Sequence, residues 1–408
     1  MKRRVVITGM SGVTAFGNDA DSVFDKLKEY ENAVVLMEDW KQYQGLHTNL
    51  AAPVQNLEYP ELFTRQNTRS MGPVSKMATL ATFNALKDAK LLGDDVLSSG
   101  QTGVSYGSCA GSTQPVVAFT NMLRDKVVKG ITATTYIKMM PHTCPVNIAL
   151  FFGLKGRVIT TSSACTSGSQ GLGYAFESIQ NGQQTIMIAG GAEELCPSEA
   201  AVFDTLYATS IKNDAPKTTP APFDKNRDGL VLGEGAGTLI LEEYEHAKAR
   251  GANIYAEIMG FATNCDAQHI TRPSAEDMER VMKMALENAN LKASDIGYVN
   301  GHGTSTEKGD IAESTATNSV FGDNIPYSTL KSYFGHTLGA CGAVETWLSI
   351  EMMRRSWFAP TINLKEVDER CPKMDHIMLE GREMNVDTVM CNNFAFGGIN
   401  TSLIVRRM

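Results

Sequence analysis

The sequence predicts an α/β fold with covered sheets, assembled from two similar halves. Short apolar, β-branched runs alternate with segments of helical period along the whole chain, the pattern of strands buried beneath helices. A second observation is internal likeness. Asn84-Ala85-Leu86-Lys87-Asp88-Ala89-Lys90-Leu91 leads into a strand ending in Ser105-Tyr106-Gly107-Ser108, and Met284-Ala285-Leu286-Glu287-Asn288-Ala289-Asn290-Leu291 leads into one ending in Asn300-Gly301-His302-Gly303. Third, each half carries a glycine-dotted helix further on, at 165–181 and 339–354. A duplicated α/β unit joined near residues 245–260 accounts for the likeness. Chance similarity of two amphipathic helices accounts for it equally well.

In chain order, strands are expected at 4–9, 102–106, 157–162, 185–190, 236–242, 296–300, 387–392 and 401–406, and helices at 20–28, 72–90, 165–181, 275–289, 309–320 and 340–354. The opening Met-Lys-Arg-Arg is followed by Val5-Val6-Ile7-Thr8-Gly9-Met10, which is short, interrupted and without a small-residue cleavage site. It reads as a first buried strand, not as a signal peptide. Gly233-Glu234-Gly235-Ala236-Gly237 runs into a strand, so it lacks the helix that a dinucleotide fingerprint requires. These glycines read as tight turns. No Gly-Lys-Ser/Thr follows a glycine loop and no His-Glu-x-x-His occurs, so neither a P-loop nor a metal is expected.

The 408 residues have room for two or three average domains or for one large two-part body. A hydrophobic share of 43% and a charged share of 20% are ordinary for a globular protein. The net charge of −8 repels nucleic acid and anionic membrane surfaces, so an acidic partner would need a local basic patch. No apolar run is long enough to span a bilayer, and membrane insertion is not expected. The eight cysteines form no Cys-x-x-Cys pair, which fits reduced thiols in a cytoplasm.

Four segments could carry chemistry. In Ser162-Ser163-Ala164-Cys165-Thr166-Ser167-Gly168-Ser169 a β-branched strand meets a helix with apolar positions at Leu172, Ala175, Phe176 and Ile179. Cys165 then lies at a helix N-terminus, where the free N–H groups and the dipole favour a thiolate. A buried structural cysteine is the bland alternative. Asn300-Gly301-His302-Gly303-Thr304-Ser305-Thr306 puts a histidine at a strand end between glycines, with two threonines spaced to bond an extended amide chain. Lys331-Ser332-Tyr333-Phe334-Gly335-His336-Thr337-Leu338-Gly339-Ala340 sets a second histidine in a turn that opens a helix containing Glu345. Asn392-Asn393-Phe394-Ala395-Phe396-Gly397-Gly398 sets aromatic rings against paired glycines.

The four segments in this order, with Pro222-Phe223-Asp224-Lys225-Asn226-Arg227-Asp228-Gly229 before the glycine run, resemble the β-ketoacyl synthase family over essentially the whole chain. The resemblance implies a thiolase-like fold, two α/β halves in five α-β-α-β-α layers. Residues 1–250 would carry the nucleophile and residues 251–408 the two histidines. It implies that Cys165 accepts an acyl group as a thioester and that His302 and His336 stabilise the enolate formed from a malonyl thioester. Lys331 matches the lysine that supports the histidines, and Glu345 its partner. The N–H groups of Cys165 and Phe396 would form an oxyanion hole, with Phe396 also the gate. Thr304 and Thr306 match pantetheine-binding positions. His269 and Thr271 match a segment near the channel mouth, and Phe394 and Ala110 match substrate-contacting positions. Acyl carrier protein is the implied partner; it brings its own 4'-phosphopantetheine, so no cofactor is expected. Arg65, Arg69, Arg124, Lys126 and Lys129 are candidates for the basic landing patch.

The paired histidines set the chain apart from initiating synthases, which have Asn in place of His336. The family forms dimers, either homodimers or heterodimers with a chain-length-factor-like subunit. Departures lie at Phe334, Ala395, Cys109-Ala110 and Gln268, where family members usually have a smaller residue, Gly, a larger aliphatic residue and Tyr. Replacing Gly by Ala at 395 would stiffen the gate. These changes leave two pathways open, ordinary fatty-acid elongation and a specialised route such as aryl polyene assembly.

Overall fold

A computed structural model describes residues 2–408. Ten strands carry the architecture: β1 (Val5–Val13), β2 (Thr102–Gly107), β3 (Val158–Thr161), β4 (Ile186–Glu193), β5 (Gly235–Glu243), β6 (Ala256–Cys265), β7 (Tyr298–Asn300), β8 (Pro326–Ser328), β9 (Thr388–Phe394) and β10 (Ile399–Arg407). Their spatial order in one continuous sheet is β3-β2-β4-β5-β1-β6-β10-β9-β7-β8, with Asp375–His376 added outside β8. The order is two copies of one pattern. Among the ten strands, the strand second from the outer edge of each copy pairs in parallel with both neighbours and the remaining pairings are antiparallel; Asp375–His376 adds to β8 in parallel. Within the sheet the copies join where Val5–Ile7 of β1 pairs with Ala256–Ile258 of β6.

Six helices complete the halves: α1 (Pro73–Asp88), α2 (Thr143–Phe152), α3 (Ser167–Gln180), α4 (Ala275–Ala289), α5 (Glu307–Phe321) and α6 (Cys341–Arg355). α1 and α2 cover the outer face of the first half, and α4 and α5 cover that of the second. α3 and α6 touch each other and strands of both halves, giving five layers in all. Every residue of α6 from Cys341 to Met353 is buried. A helix apolar or packed all round is what a central layer demands.

The repeated sequence stretches mark a repeated contact. A Cβ on Gly9 of β1 would lie 2.4 Å from the Ala85 carbonyl oxygen and 2.7 Å from the Ala89 Cβ. On Gly260 of β6 it would lie 2.8 Å from both the Ala285 oxygen and the Ala289 Cβ. Each half thus seats an Ala-x-x-x-Ala helix on a strand glycine.

Two expectations are corrected. Residues 256–260, the last part of the join expected near 245–260, instead open the ten-residue strand β6. The glycines at 233–237 are not turns. Gly235 and Gly237 are strand residues whose Cβ positions would meet the Val13 carbonyl oxygen at 2.6 Å and the Val344 nitrogen at 2.6 Å, so close backbone packing excludes side chains there.

Candidate active site

Cys165 sits where β3 gives way to α3. Ala164 has a φ of +51°, a left-handed conformation that L-residues adopt at a cost, and it turns the chain sharply. Local bonds lock the turn: the Ser163 N–H donates to Ser167 Oγ at 3.0 Å, and Thr161 Oγ1 donates to the Ser167 carbonyl at 2.8 Å. The Cys341 thiol of α6 donates to the Cys165 carbonyl at 3.1 Å, tying the turn to the central helix pair.

His302 follows β7. Its N–H and that of Gly303 donate to Glu313 of α5 at 2.5 and 2.7 Å. Asn393 Nδ2 lies 3.4 Å from His302 Nδ1 and donates to Glu345 Oε2 at 2.9 Å. His336 follows Gly335, whose φ of +67° suits glycine, and its N–H donates to the Val231 carbonyl at 2.7 Å. The Leu338 N–H donates to His336 Nδ1 at 3.3 Å. A ring nitrogen that accepts leaves the proton on the other one, so both imidazoles carry their N–H at Nε2. His336 Nε2 stands 3.0 Å from Cys165 Sγ, and one donor atom from each of the three residues lies within 4.8 Å of the other two. The imidazole planes are nearly perpendicular, with centroids 5.1 Å apart.

All three side chains are buried, and that sets their charge. Burial, and then the positive Lys331, push both histidines well below the ordinary imidazole range, so they are neutral. Burial pushes the Cys165 thiol up to about 11, against the pull of Lys331 and of the Phe396 and Cys165 N–H groups. This corrects the thiolate expected from the helix end. Cys165 stands two residues before the first turn of α3, and desolvation outweighs the dipole. Burial disfavours the Lys331 ammonium, but the Glu345 carboxylate in contact with it outweighs burial and holds it protonated. Burial raises Glu345 as well; because the contact is direct, the pair is ionised.

A cavity of about 410 Å³ opens onto the three side chains. Thr304, Thr306, His269, Thr271, Phe394 and Phe396 line it. The two threonine hydroxyls bond each other at 3.0 Å, and His269 Nδ1 accepts from the Thr271 N–H at 3.1 Å. Phe396 stacks on Phe203 with centroids 5.1 Å apart.

Other residues fall elsewhere. Ala110 does not line the cavity: it is exposed, and its N–H points at Glu193. Lys331 and Glu345 stand behind the histidines rather than in the cavity. Phe334 packs on Phe16 at 5.0 Å within the core, so it does not shape the acyl site. Arg65, Arg69, Arg124, Lys126 and Lys129 are all exposed and none lines the cavity; Arg124 pairs with Asp125 at 2.8 Å.

Sequence reasoning missed Asn393 and Glu313, which position His302, and Arg272 and Lys308, which line the cavity. Asn393 lies inside the Asn392–Gly398 segment, where an amide beside aromatic rings and glycines carries no signal of its own. Nothing in the sequence singles out Glu313 among the acidic residues of α5.

A two-part sheet with a buried cysteine facing two neutral imidazoles defines a class of acyl-handling enzyme architecture, and comparison with known families agrees. Residues 2–247 match the family model described as "Beta-ketoacyl synthase, N-terminal domain", and residues 255–365 match "Beta-ketoacyl synthase, C-terminal domain". The chain belongs to the β-ketoacyl synthase family. It is 36% identical to 3-oxoacyl-[acyl-carrier-protein] synthase 1 of Escherichia coli, covering 100% of this chain and 99% of that one. It is 35% identical to 3-oxoacyl-[acyl-carrier-protein] synthase 2 of Vibrio harveyi over the same shares. A β-ketoacyl synthase from Burkholderia phymatum superposes over 100% of both chains with a TM-score of 0.98 at 57% identity. The ishigamide ketosynthase/chain length factor superposes over 100% of both chains at 0.90 and 29%.

Proposed function

We propose that this protein is an elongating β-ketoacyl-[acyl-carrier-protein] synthase, an acyltransferase of fatty-acid biosynthesis, with Cys165 as its nucleophile. The observation that carries the reading is the convergence of one cysteine and two neutral imidazoles on one cavity. In the first step Cys165 Sγ attacks the carbonyl of an acyl thioester. The carrier's sulfur leaves and takes up the proton that the cysteine loses. Covalent capture splits the reaction into two easier steps. In the second, a malonyl thioester loses carbon dioxide, and the electron pair of the broken C–C bond becomes an enolate. The Nε2–H groups of His302 and His336 stabilise its oxygen; one such placed donor lowers the barrier by roughly 3–4 kcal/mol. The enolate carbon attacks the acyl–Cys165 carbonyl, whose oxygen takes the N–H groups of Cys165 and Phe396. Collapse expels the thiolate and releases a chain two carbons longer.

The remaining residues support this chemistry. Lys331 keeps the imidazoles neutral, Glu345 holds Lys331, and Phe396 gates the acyl site. Thr304 and Thr306 bond the pantetheine arm, with His269 and Thr271 nearer the mouth. Acyl carrier protein docks through basic residues, for which the five exposed candidates and the mouth residues Arg272 and Lys308 compete. The site is divided between residues 1–250 and 251–408, the halves we take as the two domains. The exposed outer strand β3, with Val158 and Thr160 open to solvent, supports a dimer, homomeric or with a chain-length-factor-like subunit. Cytoplasmic location fits the absence of any helix long and apolar enough to cross a membrane among the described residues. Ala395, whose φ is not left-handed, and the small Cys109 leave two acyl series open, the ordinary saturated one and conjugated chains such as those of aryl polyene assembly.

The test is incubation with acyl- and malonyl-carrier proteins and mass analysis of the product. Elongation by two carbons is expected, and Cys165→Gln stops it while leaving malonyl decarboxylation. A hydrolase would instead release free acid, and a non-catalytic partner subunit would produce nothing.

A further inference from the structure

Four carboxyl groups crowd the end of β4 and the segments beside it. Three are satisfied. Glu193 accepts from Ser108 Oγ, the Cys109 N–H and the Gly339 N–H at 2.9, 2.6 and 3.2 Å. Glu194 accepts from Ser112 Oγ and the Thr113 N–H at 2.7 and 2.8 Å. Glu234 accepts from the Val54 N–H at 2.9 Å. Glu199 is the exception: both its carboxyl oxygens are sealed from solvent, and neither has a hydrogen-bond partner.

Its position gives that vacancy a use. Glu199 lies on the helix Pro197–Asp204, four residues before Phe203, so the two share a helix face. Phe203 lines the active-site cavity and stacks on the gate residue Phe396. Cys109 packs against the same apolar cluster as Phe203, Phe396 and Leu338, and its thiol is within electrostatic reach of both Cys165 and Glu199. Neither Cys109 nor Glu199 lines the cavity itself; Cys109 borders the apolar cluster of Phe203 and Phe396, beside Glu193, and Glu199 reaches that cluster through the helix it shares with Ala200 and Phe203. Burial, and then Glu193 and Cys196, push the Glu199 carboxyl up to about 10, so it is neutral and keeps its O–H. A neutral acid in an apolar site is a hydrogen-bond donor and acceptor together.

We propose that the acyl chain carried by Cys165 runs behind Phe396 and past Cys109, and that Glu199 selects chains bearing a hydroxyl on their distal part. This deepens the synthase reading and rests on it. A chain ending in methyl leaves the carboxyl unpaired, whereas a hydroxyl of the right reach pairs it. A site built around a substrate hydroxyl discriminates strongly against the analogue that lacks it.

The test measures Cys165 acylation by intact-protein mass spectrometry, using acyl thioesters in a length series. Each methyl-terminated chain is paired with its ω-hydroxy counterpart, and each rate is divided by acetyl loading of the same protein. The native chain is expected to load the best-fitting ω-hydroxyacyl group about tenfold or more faster than its methyl counterpart. Glu199→Gln keeps that preference, and Glu199→Met inverts it. Equal rates for the pair at every length, or a preference that survives Glu199→Met, would overturn the inference while leaving the synthase reading in place. Failure of the native chain to load even acetyl on Cys165 would overturn the synthase reading and the inference with it.

Discussion

At Cys165 two effects oppose each other: the positive lysine and two N–H groups favour a thiolate, while burial opposes it and wins. A thiol pushed up to about 11 is protonated throughout the physiological range. Its thiolate fraction, and hence its alkylation rate by iodoacetamide, should rise roughly tenfold per pH unit from pH 7 to 9. Site-resolved mass spectrometry checks this, and a plateau below pH 8 would mean a stabilised thiolate instead. The imidazoles behave in the opposite sense. Because burial lowers them, acid must go well below the ordinary histidine range before it charges them. Condensation from a Cys165 acylated beforehand should therefore not fall as pH drops from 7.5 to 6.5, as single-turnover rates would show. His336→Ala removes one enolate donor, and condensation should slow about 10²–10³-fold while Cys165 still takes an acyl group from its thioester. Equal loss of both steps would place His336 in the first step as well.

The elements matter because they hold residues distant in sequence at contact distance. α3 carries the cysteine turn, α6 opens just after His336, and the two helices meet through a glycine. A Cβ on Gly168 would lie 2.8 Å from the Gly339 carbonyl oxygen and 3.1 Å from the Ala343 nitrogen. Neither neighbour is a flexible tip, so Gly168→Ala should cost about 1–3 kcal/mol and push Cys165 away from His336. A lowered unfolding temperature together with a lowered kcat is the expected result. An unchanged kcat would mean that the turn is held independently of the helix contact. Most of these elements were legible because their apolar periods are strong and their ends are marked, as at α4, where Ser274 caps the start and Asn290 ends it at a φ of +52°. β6 was not, because Glu257 and Gly260 interrupt its apolar run, the glycine for a reason of packing that only the neighbouring helix reveals. The nucleophile and both histidines could be read from their motifs. Asn393, Glu313 and Glu199 could not, since their meaning lies in which partner they have or lack.

For the whole molecule, the duplicated sheet explains why the site is built from both ends of the chain: Cys165 comes from the first half, and His302 and His336 come from the second. A chain of net charge −8 must also meet an acidic carrier protein, which requires local basic charge. Charge reversal at Arg65, Arg69, Lys126 and Lys129, and separately at Arg272 and Lys308, should raise KM for carrier-bound substrates. Small thioester mimics should be affected less by the first set. Equal effects on both substrate types would count against docking. The most direct test of the account is peptide mapping of the protein after exposure to an acyl-carrier protein alone. The account predicts one acyl group, in thioester linkage, on Cys165, which disappears with two-carbon elongation once malonyl-carrier protein is added. An acyl group on another residue, or elongation at the native rate by Cys165→Ala, would contradict it.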